Sequence, residues 1–323
     1  MPRLFRPEAY QGSRNPSNYF EGWYLKLVDV SGQHVWSFIP GVAYSSDTHG
    51  FIQVIHANSG RTSYIRFPIE QFSASRRTFK ASMGDNHFST EGISLMLSGG
   101  GLQVRGSLRF TGVQPFPSTL VSPGIMGWYS YIPGMECYHG VVSMQHGLEG
   151  TLQLNGSGVD FTGGKGYIEK DWGSSMPTDW IWIQSNHFLK EPGATFMLSL
   201  ARIPWKKGFF PGFLAFFKLN GRLYRYATYN RSKISQVQVE DDVVRVEMIN
   251  REYKLNLKVY RKSGGVLKAP RHGSMDREIG ESIISSMDLE LRDRHGHLLY
   301  GDRALHTGLE IVGNVEQYFQ NID

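Results

Sequence analysis

Apolar residues in this chain recur at every second position far more clearly than at every third or fourth. In Tyr253-Lys254-Leu255-Asn256-Leu257-Lys258-Val259 the odd positions are apolar and the even ones polar. That is the two-residue period of a strand with one face in a core and one in water. Similar short runs fill the sequence, separated by turn residues such as Ser31-Gly32, Asn58-Ser59-Gly60 and Asn220-Gly221, the last a strong hairpin signal. Such a chain buries its apolar faces only by wrapping or stacking sheets. The 37 glycines and the 13% of aromatic residues agree with strands and turns. The expectation is an all-β protein. Its 323 residues suit two barrels or sandwiches of roughly 150 residues each. With the boundary near Gly163-Gly164 these are an N-terminal β domain at 18–164 and a C-terminal β domain at 165–323. Residues 1–18 read as an irregular lead-in, the first 165 residues as one antiparallel meander, and "MDREIGESII" as one or two helical turns.

Several function classes are disfavoured. The single cysteine, Cys137, has no intrachain partner, and the first residues contain no apolar run of signal-peptide length, so a cytoplasmic setting is expected. No stretch reaches the ~20 apolar residues of a spanning helix. The net charge of +5 is small and the basic residues are scattered, which does not point to nucleic acid. No GxSxG, P-loop, CxxC or HExxH motif is present; His295 and His297 sit in a polar turn, and "SGGGLQVRG" is a turn without a following helix. Metal and nucleotide chemistry are therefore not expected, and neither a metal nor a cofactor is assigned. The oligomeric state is left open.

Chemistry-bearing residues concentrate in a few stretches. In "GYIEKDWG" (166–173), a strand places Tyr167, Glu169 and Asp171 on one face and Ile168, Lys170 and Trp172 on the other. One reading is an edge strand with its acids in water and Asp171 capping the turn. The other puts a carboxyl group on a cavity wall among aromatic rings, where loss of water favours the protonated acid. In "WIWIQSNHF" (180–188), Trp180, Trp182, Gln184, Asn186 and Phe188 share a face opposite Ile181, Ile183, Ser185 and His187, and two amides on a face of tryptophans suit a pocket wall better than plain core. "GIMGWYSYIPGMECYHGVVSM" (124–144) carries Trp128, Glu136 and His139 and reads as a tight loop followed by a strand, with Glu136 solvated. "YFEGWYLK" sets Glu21 beside Trp23 and Tyr24. Finally, "ARIPWKKGFFPGFLAFF" (201–217) reads as a proline-flanked loop in which Trp205, Lys206, Lys207, Phe209 and Phe210 would contact a membrane surface if exposed.

Together "YFEGWYLK", "PGIMGWYSYIPGMECYHGVVSM", "GYIEKDWG" and "WIWIQSNHF" resemble the tocopherol cyclase family, and more weakly the carotenoid hydratases of the same lipocalin-like superfamily. The resemblance runs from about residue 18 to the end, through "ARIPW", "GFLAF", "LYRYATY" and "GLEIVGN". It implies two lipocalin-like (calycin) antiparallel β-barrels packed together. It also implies closure of a prenylated quinol to a chromanol, without redox change and without cofactor. Such a reaction protonates a trisubstituted alkene in a dry site, and aromatic faces steady the resulting cation. Asp171 is the expected proton donor and Glu169 its partner, while Asn186 or His187 orients the quinol hydroxyl. Trp172, Trp180 and Trp182 line the pocket, with Trp23, Tyr24, Trp128 and Tyr167 contributing contacts, and Glu136 and His139 are added mainly on the resemblance. The partner is then a hydrophobic small molecule, with a peripheral membrane contact as a further expectation. Water in place of the phenol would make the same site a hydratase. A non-catalytic carrier of a prenyl lipid is the alternative from another class.

Overall fold

The computed structural model describes residues 3–13, 16–205 and 207–319, with Asn58 described in its backbone alone. Among these residues, regular structure consists of strands and a few single turns of 3-10 helix. The chain divides into two compact units, Met1–Met176 with Gly265–Ile279, and Pro177–Gly264 with Gly280–Asp323. All-β architecture with two lipocalin-like antiparallel domains is thus what the sequence folds into. The expected boundary at 164/165 moves to 176/177, and the segment "MDREIGESII" is no helix but part of the long strand Ser274–Asp293. Residues 265–279 return to the first unit, where Gln53 and the Lys268 backbone exchange two hydrogen bonds of 2.9 and 2.8 Å.

The first sheet is antiparallel throughout, in the order Arg61–Phe67, His49–His56, Val35–Tyr44, Tyr19–Val28, Lys165–Gly173, Cys137–Leu154, Leu102–Thr111, Gly92–Gly99, Asn86–Ser89, Lys80–Met83, Phe72–Ala74. It is therefore not a simple meander. Lys165–Gly173 leaves sequence order to sit between Tyr19–Val28 and Cys137–Leu154, hydrogen-bonded on both sides. This removes the edge-strand reading of "GYIEKDWG". The apolar core holds Trp23, Leu25, Leu27, Trp36, Phe38, Phe79 and Ile168. The second unit builds its sheet in the order Arg222–Ala227, Gly208–Leu219, Thr195–Trp205, Trp180–Ser185, Leu298–Val312, Ser274–Asp293, Tyr253–Tyr260, Val243–Ile249, Lys233–Val239. Its own core includes Ile181, Ile183, Leu198, Leu255, Leu257 and Val259, as the alternation in "YKLNLKV" requires.

One buried ion pair anchors the first unit. The side chains of Lys170 and Glu21 are fully buried and lie 2.5 Å apart. Lys170 also donates to the backbone oxygens of Pro7 (2.8 Å) and Ala9, while Glu21 accepts from the backbone N–H groups of Gln11 (3.0 Å) and Gly12 (3.1 Å) and from the Tyr19 hydroxyl. Burial pulls the Lys170 ammonium below its usual range, and Glu21 opposes that pull. The pair clamps the lead-in segment 7–12 onto the sheet. Removing one partner strands a buried charge, so Lys170→Met should cost about 3–5 kcal/mol. The double change Glu21→Gln with Lys170→Met should recover most of that loss, both read from urea unfolding midpoints at neutral pH.

His146 provides a pH-dependent check on the same unit. Its ring is buried against Phe110 at 4.3 Å between centroids, and a Cβ at Gly166 would fall 2.1 Å from its Nε2, so only glycine fits there. Burial pushes the His146 imidazole down to about 3. The unfolded chain then binds a proton near its ordinary value of about 6.5 while the folded chain does not. This stability is present above that pH and declines as pH falls toward 3. Between pH 6.5 and the folded value, His146 should contribute a loss of about 1.4 kcal/mol per pH unit. In His146→Phe that slope should be absent from pH-dependent urea unfolding.

Candidate functional site

Alternation along Lys165–Gly173 sends Ile168 and Lys170 toward the core and Tyr167, Glu169 and Asp171 to the opposite face of the sheet. The neighbouring strands complete that face by register: His139 stands across from Asp171, and Val141 and Tyr24 flank Glu169. His139 consequently lies between the two acids. Its Nδ1 is 2.8 Å from Asp171 Oδ1 and its Nε2 is 3.6 Å from Glu169 Oε2. The Tyr167 hydroxyl donates to Glu169 Oε2 at 2.6 Å. Burial, reinforced by the Glu169 carboxylate, pushes the Tyr167 phenol well above its ordinary range, so it remains a neutral donor. Burial and the Asp171 carboxylate likewise raise the Cys137 thiol, whose sulfur is 3.9 Å from Asp171. It is a protonated neighbour of the cluster rather than a thiolate nucleophile.

On the Lys170 side of the sheet, a cleft of about 470 Å³ is lined by Tyr138, Trp172 and His139 and by Arg3, Leu4 and Pro7 of the lead-in segment; Tyr138 and Trp172 pair one position away from His139 and Asp171 and so stand on the face opposite the two acids, and of the cluster His139 alone lines the cleft. Tyr138 and Trp172 stack at 5.6 Å with their planes 9° apart, and the Lys170 ammonium lies 4.7 Å from the Trp172 ring. Asp171 is the most solvent-accessible member of the triad, at 21% against 11% for His139 and 6% for Glu169.

The remaining expected site residues have the following surroundings. Trp23 is core, stacked on Phe79 at 5.4 Å, with its Nε1 donating to the Glu8 carbonyl. Tyr24 is buried beside Glu169 in the register. Trp128 is half exposed in the turn Gly127–Tyr131, and the Glu136 backbone oxygen accepts from Ser174 and Ser175. Trp180, Trp182, Asn186 and His187 belong to the second unit. There Trp180 donates to Glu310 Oε2 at 2.6 Å, and the Trp182 ring occupies the space over Gly308 that any Cβ would fill. Trp180, Trp182 and Gln184 are buried on the face opposite the core. Phe188 does not continue their face as expected but joins the core, because the strand ends at Ser185 and the alternation is reset. His187 meets His306 edge-on at 5.1 Å; the imidazole held against Asp171 is His139. The stretch 201–217 is no loop but a hairpin, Thr195–Trp205 paired with Gly208–Leu219. Trp205, Lys207 and Phe209 are exposed near its tip and Phe210 half-buried, while Lys206 lies outside the described residues.

A family profile described as tocopherol cyclase-like matches residues 111–313. The chain belongs to the tocopherol cyclase-like family. It is similar to the chloroplastic tocopherol cyclase of Zea mays, 37% identical over 75 residues, which are 23% of this chain and 15% of the maize protein. Among solved structures, CghA superposes with a TM-score of 0.58 at 10% identity, covering 98% of this chain and 95% of that one. Kievitone hydratase from Nectria haematococca gives a TM-score of 0.50 at 10% identity, with 96% and 91% covered. At these identities the two structures share the fold with this chain. The family match includes His139, Glu169, Asp171 and the second unit's tryptophans.

The donor atoms of His139, Glu169 and Asp171 all lie within 4.8 Å of one another, so the set has the composition a divalent cation accepts. The contact of His139 Nδ1 with Asp171 Oδ1 at 2.8 Å holds the imidazole without a cation. Exhaustive dialysis against a chelator should therefore leave substrate turnover unchanged; recovery of lost turnover by one added metal would instead assign these residues as ligands.

Proposed function

We propose that the protein is a cofactor-independent cyclase, which protonates the prenyl alkene of a quinol or related prenyl lipid and closes a chromanol ring without redox change. The observation that carries this reading is the imidazole of His139 held between Glu169 and Asp171 on the face of the sheet opposite the core. An imidazole in contact with two carboxyl groups is placed to pass a proton between them and a bound substrate. Asp171, the most accessible of the three, delivers its proton to the less substituted alkene carbon. The tertiary cation that forms is captured by the phenol oxygen, and the phenol proton returns through His139 to Asp171. Atoms and charge balance, and the acid is regenerated. Glu169, fixed by Tyr167, holds the imidazole from its far side. Tyr167 and Tyr24 are the aromatic rings on the cluster's own face, and a ring face steadies a cation by roughly 0.5–2 kcal/mol.

Family membership supports this reaction class. The maize relative is named a tocopherol cyclase, and the prenyl quinol is the substrate class that the family resemblance implies.

The decisive experiment is incubation with a panel of prenyl quinols in D2O. One deuterium fixed on carbon in a cyclised product is the expected result. Deuterium in an open-chain alcohol would make the site a hydratase, and tight binding without any product would make the protein a carrier. Asp171→Asn keeps the side chain's shape but removes its acidic proton. It should lower turnover at least about 100-fold with folding and lipid binding retained; unchanged turnover would remove Asp171 from the mechanism.

A further inference from the structure

The loop that walls the cleft carries the most exposed apolar side chains described in the chain. Thr119 and Ser122 pair through two backbone hydrogen bonds of 3.0 and 3.2 Å, and the two residues between them, Leu120 and Val121, are 78% and 82% exposed. Trp128 and Tyr131, in the following turn, are 48% and 49% exposed. The loop is held in place. The Tyr131 hydroxyl donates to the Leu120 carbonyl, and the Ser130 hydroxyl donates to the Pro123 carbonyl at 2.9 Å. Two aliphatic side chains at the apex of an ordered turn, with a tryptophan and a tyrosine behind them, cost free energy in water and gain it at a lipid interface.

Charge points to the same occupant. Tyr131 meets Phe5 edge-on at 6.4 Å, and Phe5 belongs to the segment that brings Arg3 and Arg6 beside the loop. Arg6 donates to the Arg77 carbonyl at 3.3 Å, and Arg76 to the Gly12 carbonyl at 2.9 Å. Arg3, Arg76 and Arg77 are exposed and Arg6 half-buried, so a basic rim borders the apolar apex. Tyr131 and Arg3 line the same cleft as His139. By contrast, the hairpin tip at 203–210 spends part of its aromatic surface on itself: Phe209 packs against Tyr318 at 5.0 Å and under the Arg202 guanidinium at 4.1 Å, and Trp205 packs edge-on against Phe210 at 6.2 Å.

We infer that the turn 119–122, with Trp128, Tyr131 and the arginine rim, docks on an anionic lipid surface and opens the His139 cleft toward it. The apolar apex enters the headgroup boundary while the arginines meet lipid phosphates.

The test is cosedimentation of the full chain with vesicles of phosphatidylcholine alone and of phosphatidylcholine with phosphatidylglycerol. Wild type should bind the anionic vesicles preferentially, and high salt should weaken that binding. Leu120→Ser with Val121→Ser should reduce affinity about 100-fold or more, the effect of withdrawing two aliphatic side chains from an apolar phase. Trp205→Ala with Phe209→Ala should bind like wild type. Val121→Ser alone, at a position too exposed to disturb folding, should give an intermediate loss. Equal binding by the Leu120/Val121 variant and wild type would overturn the inference. So would loss confined to the hairpin variant, no wild-type binding to either vesicle, or a wild-type dimer in gel filtration that the loop variant dissociates. Binding is measured without turnover, so its failure and failure of the proposed reaction are distinguishable.

Discussion

The pairing of Lys170 with Glu21 is the constraint on which the first unit's geometry rests. A charge with no solvent contact is tolerated only with a close partner and further hydrogen bonds, and each of these two has both. Buried pairs are a poor source of net stability, because desolvation offsets most of their attraction. Their contribution here is register. A shift of Lys165–Gly173 by one residue would turn Lys170 away from Glu21, bring Glu169 and Asp171 to the core face, and leave three charges buried without partners. The register that satisfies Lys170 is also the one that sets His139 across from Asp171. Because Lys170 and Glu21 also hold the backbone of residues 7–12, the same interaction positions the segment that forms one wall of the cleft.

Core and chemistry are separated by the pleat of single strands. On Lys165–Gly173 the residues facing inward join a close-packed core, and those facing outward form the acid–imidazole cluster. On Trp180–Ser185 the isoleucines take the core, and Trp180, Trp182 and Gln184 take the other face. Both units thus carry a group of polar or aromatic residues on the face opposite the core, which Trp23, Trp36, Phe38 and Phe79 fill in the first unit. A carrier that holds its ligand inside the barrel needs that interior open, which is one reason to favour the reading that uses the cluster on the outer face.

Much of this was legible in the sequence. Two-residue alternation and turn signals identified the strand content, and alternation within "GYIEKDWG" correctly separated Lys170 from Glu169 and Asp171. What local pattern cannot show is which strands become neighbours. Taking Lys165–Gly173 as the start of a second set of strands hid its place between Tyr19–Val28 and Cys137–Leu154. That in turn hid Glu21 as the partner of Lys170 and left His139 as a minor candidate behind His187. The signal was present in "ECYHGVV", where Cys137, His139 and Val141 alternate onto one face, but it acquires meaning only when the cross-strand partner is known. The prolines of "ARIPWKKGFFPGF" misled in a similar way, since Pro204 and Pro211 sit within paired strands although proline donates no ladder hydrogen bond.

The site's position on the outer face bears on how one fold can serve different reactions. Residues of a packed core are coupled, so a change of volume at one is felt by its neighbours. Residues around the cleft have fewer such obligations. Tyr138 and Trp172 pack on each other, and the turn 119–131 is held largely by its own hydrogen bonds. Cleft shape can therefore change while the buried strand faces remain as they are. The acid–imidazole cluster lies between these two regimes. Glu169 and Tyr167 are fixed by burial, whereas Asp171 and His139 reach the more open side. Fixed geometry at one end and solvent access at the other are what the proposed proton donor needs.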